Sequence, residues 1–73
     1  MDRTAVDSSV LRSVGYDRAA RLLELEFAGG RLYVYADVPA RVHRELLAAE
    51  SHGRYFVRRI RGRYAYRRSG TGR

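Results

Sequence analysis

Apolar and polar positions change period once along this chain, near residue 37. Before that point they alternate in short runs. "VLRSVGY" (10 to 16) is rich in β-branched and aromatic residues. "RLLELEF" (21 to 27) sets Leu23, Leu25 and Phe27 against Leu22, Glu24 and Glu26, and "RLYVYADV" (31 to 38) alternates throughout. A period of two places alternate side chains on opposite faces of a strand. "DRAA" (17 to 20) opens with Asp, a favoured turn residue, and "AGG" (28 to 30) closes the second hairpin. The three runs predict an antiparallel meander.

From "DVPARVHRELLAAES" the period lengthens to about 3.6, with Val38, Val42, Leu46 and Ala49 on one stripe. Pro39 suits a first helical turn, with Asp37 or Val38 near the cap, so a helix over about 39 to 50 should cross the sheet. Ser51 suits the cap of a second helix over 53 to 61, with Phe56 and Ile60 as its apolar edge and Gly62 as its stop. On that helix Arg54, Arg58 and Arg61 would form one outward face. "RYAYRR" alternates Tyr64 and Tyr66 and suits a short last strand or an extended arm. Residues 1 to 8 carry no period and read as a flexible leader, and 69 to 73 as a disordered tail. The expected fold is α+β: a three-stranded antiparallel meander followed by two helices, with a short C-terminal strand as an option, and one domain over residues 9 to 68.

The preceding loop decides which way Tyr33 and Tyr35 face. A two-residue Gly29-Gly30 loop pairs Glu26 with Tyr33 and leaves both tyrosines outside. A three-residue Ala28-Gly29-Gly30 loop slips the register by one and turns them toward the core. The structural role is favoured, because exposed rings would stand beside Glu24 and Glu26, which repel phosphate.

Charge adds what periodicity lacks. Residues 1 to 53 hold seven Arg against eight Asp or Glu, a net of −1, while residues 54 to 73 hold eight Arg and no acid, a net of +8. The whole basic excess follows residue 53. All fifteen cations are Arg; that suits bidentate phosphate recognition, while a genome biased toward GC-rich codons is the favoured alternative, since the same preference runs through the acidic part. A cationic helix face followed by alternating Tyr and Arg can neutralise phosphate and stack on unpaired bases without a deep pocket. Arg54, Arg58, Arg61, Arg63, Tyr64, Tyr66, Arg67 and Arg68 are therefore the candidate nucleic-acid contacts, with RNA favoured over single-stranded DNA. An acidic protein partner or a second copy of the chain is the alternative.

Enzyme-like constellations are sparse. At 73 residues the chain buries too little surface to expect a cleft of enzyme size. It has no Cys, and His43 and His52 are nine residues apart, so neither metal nor cofactor is expected. Ser51 beside His52 lacks a third orienting group and reads as a cap. Glu24 and Glu26 read as a solvated strand face. No apolar run approaches the roughly 20 residues that span a bilayer, and the start resembles no signal peptide, so a cytoplasmic protein is expected.

"VGYDRAARLLELEF", "LYVYADVPARVHRELLAAES" and "GRYFVRRIRGRYAYRR" together resemble the KTSC domain, a short bacterial module that also occurs at the C-terminus of some lysyl-tRNA synthetases. The family Y-x-Y matches Tyr33 and Tyr35, and its "DVP" helix entry matches Asp37 to Pro39. Ser51, Gly53, Tyr55, Phe56, Ile60, Arg61 and Tyr64 match its later pattern. Val57 and Ala65 stand where many members carry Asn and Pro. The resemblance implies RNA binding. It also implies inward-facing tyrosines, because many relatives place a polar residue between them.

Overall fold

A computed structural model of the chain describes residues 2 to 71. Five strands form a single antiparallel sheet in chain order: β1 (Asp2–Ala5), β2 (Leu11–Asp17), β3 (Leu22–Phe27), β4 (Arg31–Tyr35) and β5 (Tyr66–Thr71). Between β4 and β5 lie α1 (Ala40–Ala48) and α2 (His52–Tyr55), and α2 runs without a break into a π-helical turn, Phe56–Ile60. The expected three-stranded meander and two helices are present, the optional C-terminal strand forms as β5, and β1 is an additional strand, which makes five in all. β1 replaces the expected loose leader, and its polar "DRTA" carries no alternation because it is a short edge strand. β5 extends through the expected disordered tail as far as Thr71; residues 72 and 73 lie outside the described residues.

Local chemistry accounts for the joints. The Ser8 hydroxyl accepts from the backbone N–H groups of Val10 and Leu11 at 3.1 and 3.3 Å, turning the chain into β2. Asp17 accepts from the Ala20 N–H at 3.1 Å, which makes "DRAA" an Asx-type turn. Asp37 stands at φ 59°, a left-handed conformation that Asp tolerates better than most residues, and the next residue, Val38, donates to the Arg21 carbonyl at 3.0 Å. Pro39 is the residue just before α1, one position earlier than a first-turn proline. Ser51 caps α2 by accepting from the Arg54 N–H at 3.2 Å.

All helical segments lie on one sheet face. Val38, Val42 and Leu46 meet Leu11, Val14, Tyr16, Leu23, Leu25 and Tyr35 from the sheet, and Phe56 and Ile60 close the far end. The Tyr16 hydroxyl donates to the Val38 carbonyl at 2.6 Å, so the one polar atom of that buried ring is satisfied.

The other sheet face also differs from expectation. Glu24 and Glu26 are half-buried rather than a solvated row. Arg3, on the unforeseen β1, pairs with Glu24 and donates to Ser13 at 2.6 Å, and buried Ser13 donates to Glu26 at 2.8 Å. No described helix is long and apolar enough to cross a membrane.

Candidate functional site: an aromatic hollow edged by arginine

The β3–β4 loop has three residues. Leu23 pairs with Tyr35 and Leu25 with Tyr33, so both tyrosines share the face of the core leucines. Tyr35 is buried and Tyr33 half-buried. Val34 points to the opposite face, flanked by Glu24 and Arg67 on the neighbouring strands; this mid-sheet position is nearly closed to water.

β5 then sets Tyr66 opposite Tyr35. The Tyr66 ring lies 5.2 Å from Tyr35 and 5.4 Å from Tyr33, tilted by 33° and 39°. Phe27 meets Tyr33 edge-on at 5.5 Å, and Phe56 meets Phe27 at 5.2 Å and Tyr35 at 5.9 Å. Such tilted and edge-to-face pairs set the positive edge of one ring toward the negative face of another. Five rings from four elements so form one continuous aromatic surface.

That surface walls an open hollow of about 420 Å³, completed by Val10, Ala28, Gly62 and two arginines, Arg31 and Arg61, and no carboxylate lines it. Burial, then the neighbouring Tyr66 and Tyr33 hydroxyls, push the Tyr35 hydroxyl up to about 12, while Arg61 acts in the opposite sense. The phenol is therefore a neutral hydrogen-bonding group at physiological pH.

Arg61 reaches this hollow because the helix ends in a π turn. The Arg61 N–H bonds to the Phe56 carbonyl at 2.8 Å, a five-residue spacing, and Arg61 itself is extended at φ −60°, ψ 125°. Gly62 comes next at φ 76°, a left-handed value suited to Gly after a helix. An α-helix continued to residue 61 would have aligned Arg61 with Arg54 and Arg58. Instead the three divide: Arg54 and Arg58 border a separate hollow with Gly53, Val57 and Val10, and Arg61 turns to the aromatic one.

The other expected contacts scatter around these two hollows. Arg63 donates its Nε to the Arg58 carbonyl at 3.0 Å and so closes the helix end. Tyr64 is half-buried against the core. Tyr66, Arg67 and Arg68 are exposed on β5, with Arg68 opposite Tyr33 and Arg67 opposite Val34. Val10, Phe27 and Arg31 join the site without having been singled out for it from the sequence. The three-residue register carried the signal for Arg31, since it sets residues 31, 33 and 35 along one side of β4.

Two further polar contacts shape the helical side. The Tyr55 hydroxyl donates to Glu45 at 2.7 Å, and Arg41 lies 3.7 Å from the same carboxylate. The bond from Tyr55, and secondarily Arg41, hold Glu45 below its usual range, while burial and then Glu45 push Tyr55 up to about 12. The His52 Nδ1 meets the Leu46 carbonyl at 2.8 Å near the end of α1.

The family model of the KTSC domain matches residues 7–64. The chain belongs to the KTSC domain family. The crystal structure of a KTSC domain protein from Yersinia pestis superposes with a TM-score of 0.91 at 39% identity, covering 94% of this chain and 97% of that one. An uncharacterized protein of Stutzerimonas stutzeri is 52% identical over 56 residues, 77% of this chain and 79% of the relative. A lysine–tRNA ligase of a Nostoc species is 37% identical over 60 residues, which are 82% of this KTSC domain but 11% of the ligase.

Proposed function

We propose that this KTSC domain is a non-catalytic binding module for single-stranded RNA that stacks an unpaired base in the aromatic hollow and holds the adjoining phosphates with arginine. One observation carries the reading: exposed Tyr66 and half-buried Tyr33 stand in an open hollow whose charged lining residues are Arg31 and Arg61, with no carboxylate. Ring faces reward bases that are free to leave their own stack, which favours single strands over duplexes. Arg68 on β5, opposite Tyr33 and on the hollow's side of the sheet, extends the positive charge beyond the hollow, while Arg67 lies opposite Val34 on the other face. The lysine–tRNA ligases that contain a similar segment are enzymes named for an RNA substrate, and this is consistent with an RNA ligand here.

The site differs from the helix face that the spacing of Arg54, Arg58 and Arg61 alone would select. It is centred on β4, β5 and the π turn. Fluorescence anisotropy with labelled single-stranded RNA, single-stranded DNA and duplex RNA tests the reading. Single strands should bind more tightly than duplex, and binding should weaken steeply with salt. No binding of any of the three at about 50 mM salt would end it. Light scattering tests the alternative of self-association: β5 is an open sheet edge, but Arg67 and Arg68 oppose pairing with a second β5. A dimer that buries β5 would count against RNA binding.

A further inference from the structure

Val10 belongs to two hollows at once. On one side it closes the aromatic hollow. On the other it forms, with Gly53 and Val57, the floor of a shallow apolar saddle edged by Arg54 and Arg58. Val10 is 41% exposed and Val57 53% exposed, so two large aliphatic side chains face water on one small patch. Isolated exposed aliphatic residues are ordinary; two that adjoin across a saddle with cations at its rim form a surface of defined chemistry.

The lining of these two hollows differs in charge from that of two others. Two other hollows contain carboxylates, Asp17 in one and Glu45 with Glu50 in the other, and Arg54 and Arg58 stand on the ridge between this last hollow and the saddle, lining both. The aromatic hollow and the saddle contain none. Among the described residues the ion pairs are Arg3 with Glu24 and Arg41 with Glu45, so neither Arg54 nor Arg58 has a carboxylate within bridging distance. A carboxylate-free strip therefore runs from Tyr66 over Val10 to Val57, with Arg31 and Arg61 near one end and Arg54 and Arg58 at the other.

We infer that the saddle is a second nucleotide subsite, which receives the neighbour of the base in the aromatic hollow. The occupant is a further nucleotide of the same strand: Val10 and Val57 offer an apolar floor for its base or sugar, and Arg54 and Arg58 meet its phosphate. The inference rests on the reading of the aromatic hollow as a base site and adds that the ligand is a polynucleotide rather than a free nucleotide.

The test is a length series of unstructured RNA: uridine monophosphate, a uridine dinucleotide, a tetranucleotide and an octanucleotide, each titrated into the labelled full chain and followed by backbone amide shifts. Wild type should tighten by roughly tenfold between the mononucleotide and the tetranucleotide, the scale expected of one added charge-assisted contact. Shifts at Gly53 and Val57 should start with the dinucleotide. Val57→Glu, which puts a carboxylate in the saddle, and the double variant Arg54→Ala/Arg58→Ala should each lose most of that gain while binding the mononucleotide like wild type. All three positions face solvent, and circular dichroism verifies the fold. A length gain unchanged in both variants overturns the second subsite and leaves the base site standing. Failure of every oligonucleotide to bind wild type overturns both.

Discussion

Tyr66→Ala separates a binding role for the aromatic surface from a structural one. The ring is 59% exposed, so about 41% of its surface is covered. Burying a large apolar side chain completely stabilises by about 1.5–3 kcal/mol, so the covered fraction corresponds to about 1 kcal/mol. The two tilted contacts, with Tyr33 at 5.4 Å and Tyr35 at 5.2 Å, add about 1 kcal/mol together at the low end of measured aromatic pairs. The expected loss of stability is about 2 kcal/mol, or a fall in Tm of roughly 10 °C for a domain of this size. Buried Phe56 is the control: Phe56→Ala should cost about 3–5 kcal/mol. Loss of a stacked base costs about 1–3 kcal/mol of affinity, so Tyr66→Ala should bind single-stranded RNA roughly 5- to 150-fold more weakly, and Tyr66→Phe should restore most of it. Anisotropy is measured well below the melting transition of each variant. Affinity within about twofold of wild type for folded Tyr66→Ala would refute the stacking argument.

Other consequences can be checked separately. Arg61→Ala should reduce the log-log salt slope for single-stranded RNA by about 0.7, the value for one phosphate, in an anisotropy series across salt. Tyr35 ionises near 12 in the fold and near 10 when unfolded, so its contribution to stability is complete below about pH 10 and is lost as pH rises toward 12. Urea midpoints across that interval should fall less in Tyr35→Phe than in wild type, with Tyr55 supplying the fall that remains. Ser51→Ala removes the acceptor for the Arg54 N–H and should cost about 1 kcal/mol in chemical denaturation.

The strongly periodic parts of this fold were legible from residues alone. Leu23 and Leu25, the stripe Val38, Val42 and Leu46, and the pair Phe56 and Ile60 are all buried. In each the period states which face is apolar, and that face has a core to fill. β1 was not legible for the converse reason. An edge strand needs little apolar content, because one flank is bonded and the other is solvent; "DRTA" is ordered by its pairing with β2 and by the contacts of Arg3. The polar network of Arg3, Ser13, Glu24 and Glu26 depends on that strand, so without β1 in view the two glutamates look like open surface. The direction of Tyr33 and Tyr35 lay between two loop lengths. Packing resolves it: the three-residue loop buries Tyr35 beside the core leucines, where the shorter loop would have left both tyrosines outside.

The π turn was not legible in the sequence, and it parts Arg61 from Arg54 and Arg58. Phe56 and Ile60 four residues apart satisfy an α-helix, and nothing in their spacing forecasts that the next backbone bond reaches back five residues. The chain beyond the helix accounts for the change. Gly62 in its left-handed conformation and the Arg63 N–H bonded to the Ile60 carbonyl at 3.0 Å reverse the chain tightly enough to bring β5 alongside β4. Arg61, released from helical geometry, then points into the aromatic hollow rather than along the helix with Arg54 and Arg58. A triple charge reversal of Arg54, Arg58 and Arg61 would therefore strike two places at once. Arg61→Ala alone should weaken a mononucleotide, whereas Arg54→Ala/Arg58→Ala should spare it, and only the single-site comparison distinguishes one basic face from two adjoining subsites.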